Sequence, residues 1–165
     1  MDNTFRYRIG IVGCGSNMTP KQYNKVTQTI NHIHELYDEK SMPYRFLDIH
    51  ISCFGLSENQ IYNYIINKFS VKDEIHFIIY PVDNTYNIDK AYIIHNTSTR
   101  GSAIKNIIDN SDIVFFISST ETELEDSFWI RGNLCLDVWS QISYADKRNR
   151  RIKIFLPSGE VQRKY

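Results

Sequence analysis

Glycine and proline are scarce in this chain, seven and four among 165 residues, and only Gly10, Gly13 and Gly15 fall close together. No Gly/Ser tract, proline-rich run or internal repeat marks a linker or an array. Residues 1–165 are therefore expected to form one domain, a length that suits one core better than two. Cysteine is sparse as well. Cys14, Cys53 and Cys135 lie far apart, with neither a zinc-type spacing nor the even count of a disulfide framework. No metal centre is expected, and the compartment is expected to be reducing, hence cytoplasmic. No apolar run approaches the roughly 20 residues that a membrane-spanning helix needs, and the first residues lack a signal-peptide pattern. No membrane partner is expected. Net charge is absent too, because 19 basic and 19 acidic side chains cancel. No overall field draws the chain to nucleic acid, which is not expected as the main partner. The richness in Ile, Asn, Lys and Tyr fits AT-rich coding, as in a virus or a parasite, and says nothing about function.

What is present is an alternation of short β-branched runs with longer segments of helical period. The runs are Tyr7–Cys14, Arg45–Ile51, Glu74–Tyr80, Asp112–Ser118 and Arg151–Leu156. Each is nearly continuously apolar, as a strand covered on both faces requires. Between the first two, Tyr23, Val26, Ile30, Ile33 and Tyr37 recur at steps of three and four, the stripe of an amphipathic helix. Thr19-Pro20 opens that helix with a capping hydroxyl and a first-turn proline. Ile61, Ile65, Ile66 and Phe69 mark a second helix, and Ile104, Ile107 and Ile108 a third. Cys135, Val138, Trp139, Ile142 and Ala145 mark a fourth. Parallel neighbours need helical crossovers, so the pattern predicts an α/β fold. It would be a Rossmann-like, doubly wound, mainly parallel five-stranded sheet with helices on both faces. Two long links, Pro81 to Arg100 and Ser119 to Asn133, abut the fourth strand, and links of that length are usually functional or disordered. The ligand crevice of such a sheet lies outside the carboxyl ends of its strands, where strand order reverses.

Three polar turns fall on that edge. The first reads Gly13-Cys14-Gly15-Ser16-Asn17-Met18-Thr19. Glycine permits a tight turn, and the N–H groups at a helix start suit an anion. The third glycine of a dinucleotide fingerprint is missing, so the turn reads either as phosphate-binding or as a bend that needs glycine. The second runs from His50 to Asn59. Ser52 and Glu58 could face a sugar, with Glu58 as acid or base. Equally, Ser57 could cap the helix while Glu58 meets its positive end. His50 reads as a packed strand histidine. Arg100, beside Gly101 and Ser102, could hold a phosphate or pair with the acidic loop. The third turn offers Trp129, Arg131, Gly132 and Asn133 before the fourth helix. Arg131 and helix-start N–H groups make a plausible anion clamp, and Trp129 either stacks on a base or plugs the core. The basic residues Lys147, Arg148, Arg150, Arg151, Lys153, Arg163 and Lys164 read as solvated surface, as do Glu121, Glu123, Glu125 and Asp126. Nothing forms a Ser/His/Asp order or a redox pair.

Four blocks together resemble the SLOG superfamily, Rossmann-like relatives of the LOG phosphoribohydrolases, DprA and the YspA-like proteins. The blocks are Ile9-Gly10-Ile11-Val12-Gly13 with Met18-Thr19-Pro20-Lys21-Gln22, His50 to Glu58, Ser111 to Ile117, and Trp139, Ile142, Tyr144 and Ala145 before Pro157-Ser158-Gly159. The departures fall at the functional positions. Asp137-Val138 replaces the Gly-Thr before the tryptophan, Ser52 and Ser57 replace aspartates, and Gly15 replaces the arginine of the first turn. The resemblance implies a nucleotide or nucleotide-derived ligand, no cofactor, and homo-oligomerisation, for which Tyr23, Tyr37, Tyr62 and Tyr64 would supply surface. Gly13, Gly15, Ser16 and Asn17 would line the phosphate side together with Arg100, Arg131, Gly132 and Asn133; Ser52 and Glu58 would face the sugar. Three functions stay open. The leading one is binding of such a ligand. The second is cleavage or transfer at its N-glycosidic bond, with Glu58, Asp137 or Asp126 as the carboxylate. The third is a non-catalytic interaction protein with a decayed site.

Overall fold

The apolar runs become strands because each is sandwiched. In the computed structural model, which describes residues 6–13, 15–38, 46–52, 55–69, 75–82, 91–96, 99–122 and 138–164, β1 (Arg6–Val12), β2 (Phe46–Ile51), β3 (Ile75–Ile79), β5 (Ile113–Ile117) and β6 (Arg151–Phe155) match the five runs closely. Every residue of β3 and β5 is buried. Two further strands, β4 (Ala91–Ile94) and β7 (Val161–Lys164), make the sheet seven-stranded rather than five-stranded, in the order β4-β3-β2-β1-β5-β6-β7. β4 lies inside the Pro81–Arg100 link that had read as a loop. β7 folds back antiparallel on β6, and the other strands are parallel.

Among the described residues four helices cover the sheet: α1 (Pro20–Asp38), α2 (Leu56–Lys68), α3 (Arg100–Asp109) and α4 (Trp139–Lys147). Alternation along β1 assigns them to its two faces. Tyr7, Ile9 and Ile11 pack with Val26, Ile30 and Ile33 of α1 and with Ile61 and Ile65 of α2. Val12, on the opposite face, packs with Ile104, Ile107 and Ile108 of α3 and with Ile142 and Ala145 of α4. At Gly10 a Cβ would meet Ser111 Oγ at 2.5 Å and Ile107 Cγ2 at 2.9 Å, so a bare backbone lets α3 settle onto β1.

Three sequence-based readings change. Tyr62 is buried against Phe77, with ring centroids 4.9 Å apart, and supplies no surface for association. α2 takes Gly55 as its N-cap, so Ser57 is no cap; it is fully buried within the helix. Arg150, read with its neighbours as solvated surface, is half-buried and donates to the Asp109 carbonyl (2.8 Å), while Lys147, Arg148, Arg151, Arg163 and Lys164 are exposed. Among the described residues no helix is long and apolar enough to cross a membrane.

Candidate functional site

β1 lies between β2 and β5, so strand order reverses at β1 and a crevice is expected at its carboxyl end. The chain leaves β1 through Gly13, β2 through Ser52 and β5 through Ser118. Gly13 N–H donates to Glu58 Oε1 (3.1 Å), and its carbonyl accepts from Arg100 Nη2 (2.8 Å). The Ser52 hydroxyl donates to the other carboxylate oxygen of Glu58. Arg100 Nη2 stands 4.0 Å from Glu58 Oε1, with both side chains largely buried. Four elements thus meet at one carboxylate. Burying a charge is costly unless it is paired and hydrogen-bonded, and Glu58 is both. A Cβ at position 13 would run into Ser57 Oγ and stand 2.9 Å from Glu58 Cγ, so glycine lets the turn close over this carboxylate.

The fold therefore brings together Gly13, Ser52, Glu58 and Arg100. Arg100 reaches inward to the Gly13 carbonyl and to Glu58. Gly15, Ser16 and Asn17 continue the turn, the first half-buried and the other two exposed. Arg131, Gly132, Asn133 and Asp137 lie outside the described residues, as do Asp126, Trp129, Cys14 and Cys53.

Thr19 supplies the capping hydroxyl expected of it, and residues not singled out for this edge in the sequence join it. Thr19 and Gln22 form a reciprocal capping box: Gln22 N–H donates to Thr19 Oγ1 (3.2 Å), and Thr19 N–H to Gln22 Oε1 (3.3 Å). The Gln22 amide nitrogen also donates to the carbonyls of Ser118 (2.7 Å) and Phe155 (2.8 Å), tying α1 to the ends of β5 and β6. Met18 N–H donates to Gln60 Oε1 (2.8 Å). Several N–H groups at the start of α1 are thus already taken by side chains. The Thr-x-x-Gln spacing was the available signal. Beyond β5, Thr120 N–H donates to Ser118 Oγ (3.1 Å), and the Trp139 indole N–H to Thr120 Oγ1 (3.2 Å). A hydroxyl-lined turn therefore faces the first one across the reversal point.

Below Ser52 on β2, His50 is buried and its Nδ1 lies 2.9 Å from the Tyr80 hydroxyl. Burial, then the positive charge of Arg8 and that of His95, lower its pKa to about 4 and keep it neutral. Burial pushes the Tyr80 hydroxyl up to about 12, against a hydrogen bond from Asn110. The Tyr80 ring stacks on His95, with centroids 4.4 Å apart. Among the described residues no group of His, Cys, Asp or Glu could hold a metal ion.

No protein-family model, no curated protein and no solved structure matches this chain.

Proposed function

We propose that the chain binds a nucleotide or nucleotide-derived small molecule at the carboxyl edge of its sheet, as a cytoplasmic, Rossmann-like doubly wound protein of the SLOG type. The observation that supports this reading is the buried Glu58, which receives Gly13 and Ser52 and is approached by Arg100. A carboxylate spent on fixing a turn makes sense where that turn must be held ready, and pre-organised sites bind without paying for order at the moment of binding. The fixed turn presents Gly15, Ser16 and Asn17 beside the reversal point, where ligands of such sheets sit.

Cleavage of an N-glycosidic bond is the alternative. It requires a carboxylate open to the ligand, whereas both oxygens of Glu58 are engaged by the protein and the side chain is almost wholly buried. That favours binding over hydrolysis, and release of free base from a nucleoside monophosphate would reverse the order.

Thermal-shift and calorimetric titrations with nucleoside mono- and diphosphates, cyclic nucleotides, NAD and ADP-ribose test the reading. At least one is expected to raise the melting temperature, since a ligand that binds only the native state stabilises it by mass action. Asn17→Asp places a negative charge on the exposed turn and is expected to weaken that ligand about tenfold, equivalent to ~1.4 kcal/mol. A flat screen, or a hit indifferent to Asn17→Asp, would refute the proposed site.

A further inference from the structure

We propose that the groove between the outer faces of α1 and α2 is a second binding site, built for a neutral, hydroxyl-rich ligand of the carbohydrate class. It is an open depression of about 560 Å³, a volume within the range of small-molecule sites. Its walls carry Tyr23 and Asn24 from α1 and Gln60, Asn63, Tyr64 and Asn67 from α2, and none of the described residues lining it is charged.

That lining selects by chemistry. A phosphate or carboxylate would find no cation here, and a hydrophobic segment would have to strip water from four amides. A sugar hydroxyl both donates and accepts, and so does a carboxamide. Spacings of three and four place Gln60, Asn63 and Asn67 along one face of α2, opposite Asn24, so polar partners stand on both sides. The two tyrosines supply what the amides lack, flat apolar surface with a polar tip, against which the C–H face of a pyranose ring packs.

Part of the lining is already fixed. Met18 N–H holds the carbonyl oxygen of Gln60 at 2.8 Å, which leaves the Gln60 NH₂ as donor. Tyr64 donates its hydroxyl proton to Asn31 Oδ1 at 2.6 Å, which leaves its oxygen as acceptor. Tyr23 stands edge-on to Tyr64 at 6.1 Å, and Tyr64 stands edge-on to Phe69 at 6.2 Å. Side chains ordered before binding lose less entropy when the ligand arrives.

The experiment uses the full chain on an array of neutral, sialylated and sulfated glycans, followed by titration of the best neutral oligosaccharide against ¹⁵N-labelled protein. Binding to neutral glycans is expected, with shifts in the side-chain amide signals of Gln60, Asn63 and Asn67. The double variant Asn63→Ala/Asn67→Ala changes only exposed positions. It is expected to keep the wild-type melting temperature and any nucleotide-induced shift while losing at least tenfold in glycan affinity. Binding confined to charged glycans, no glycan binding, or a double variant that binds as well as wild type would overturn the proposal. So would a concentration-dependent dimer in sedimentation that the double variant abolishes, because the groove would then be a contact between copies of this chain. Each of these outcomes is independent of the sheet-edge site.

Discussion

His50 is held far from its ordinary state. It is neutral in the fold, with a pKa of about 4, against 6.5 for a free imidazole. The unfolded chain therefore binds the proton first as pH falls. Stability from this residue is complete above pH 6.5, declines as pH drops from 6.5 toward 4, and levels off below. The whole effect amounts to at most ~3 kcal/mol, by linkage. Urea denaturation at pH 7.0 and pH 4.5 is expected to show a loss in the wild type that is smaller in His50→Phe. An equal loss in both would mean that His50 is not the buried neutral group the geometry makes it. Tyr80 works in the opposite direction: with its pKa near 12, it contributes stability that is lost as pH rises from 10 through 12. The sequence placed His50 on a strand, but its pairing with Tyr80 depends on the alignment of β2 with β3, which no single run of residues encodes.

Among the elements, α1 is tied to the ends of two strands through a single residue, Gln22. One side chain completes the capping box and bridges to Ser118 and Phe155. Gln22→Ala removes an acceptor for Thr19 N–H and a donor for two carbonyls at the buried strand ends. The expected cost is about 2 kcal/mol, a fall in melting temperature of roughly 4–8 °C for a domain of this size, read by calorimetry. An unchanged melting temperature would show that water substitutes for the amide. α1 also marks where sequence reasoning reached its limit. Its stripe of Val26, Ile30 and Ile33 and its Thr19-Pro20 opening were legible, because a helix advertises its buried face by period. The bridges of Gln22 were not, since its partners lie 96 and 133 positions away. β4 and β7 escaped notice because each is only four residues long, and Val161–Lys164 is also largely exposed.

For the molecule as a whole, the order of the sheet predicts an order of stability. β1 is flanked by β2 and β5 and covered by helices on both faces. β4 and β7 close the two edges with four residues each. Amide exchange is expected to be slowest in β1 and β5, where opening requires global unfolding, and at least about a hundredfold faster in β4 and β7. Uniform protection across the sheet would contradict this. The same order explains why Gly13, Ser52, Glu58 and Arg100 could be picked from sequence at all. Strand polarity alone sends the turns after β1 and β2 and the start of α3 to one edge. What polarity could not tell is that Glu58 would face its own scaffold, because its direction is set by Gly13 and Arg100, 45 positions before it and 42 after it.

The Thr19 hydroxyl donates to the carbonyl of Pro157, 138 positions later, and Gly159, at φ +90°, rests against Lys21. On a ribosome, ~5–20 residues are added each second, so roughly 7–28 s pass between the synthesis of the two partners. For that interval α1 has its own capping box but not the turn that seals it, and until β5 is made, β1 has an open edge toward water. The nascent chain must therefore be shielded, or must stay uncommitted, until β5 and the turn at Pro157 have been made. Slowing or stalling translation just before residue 157 should cost this protein more in yield than any stall within its first hundred residues.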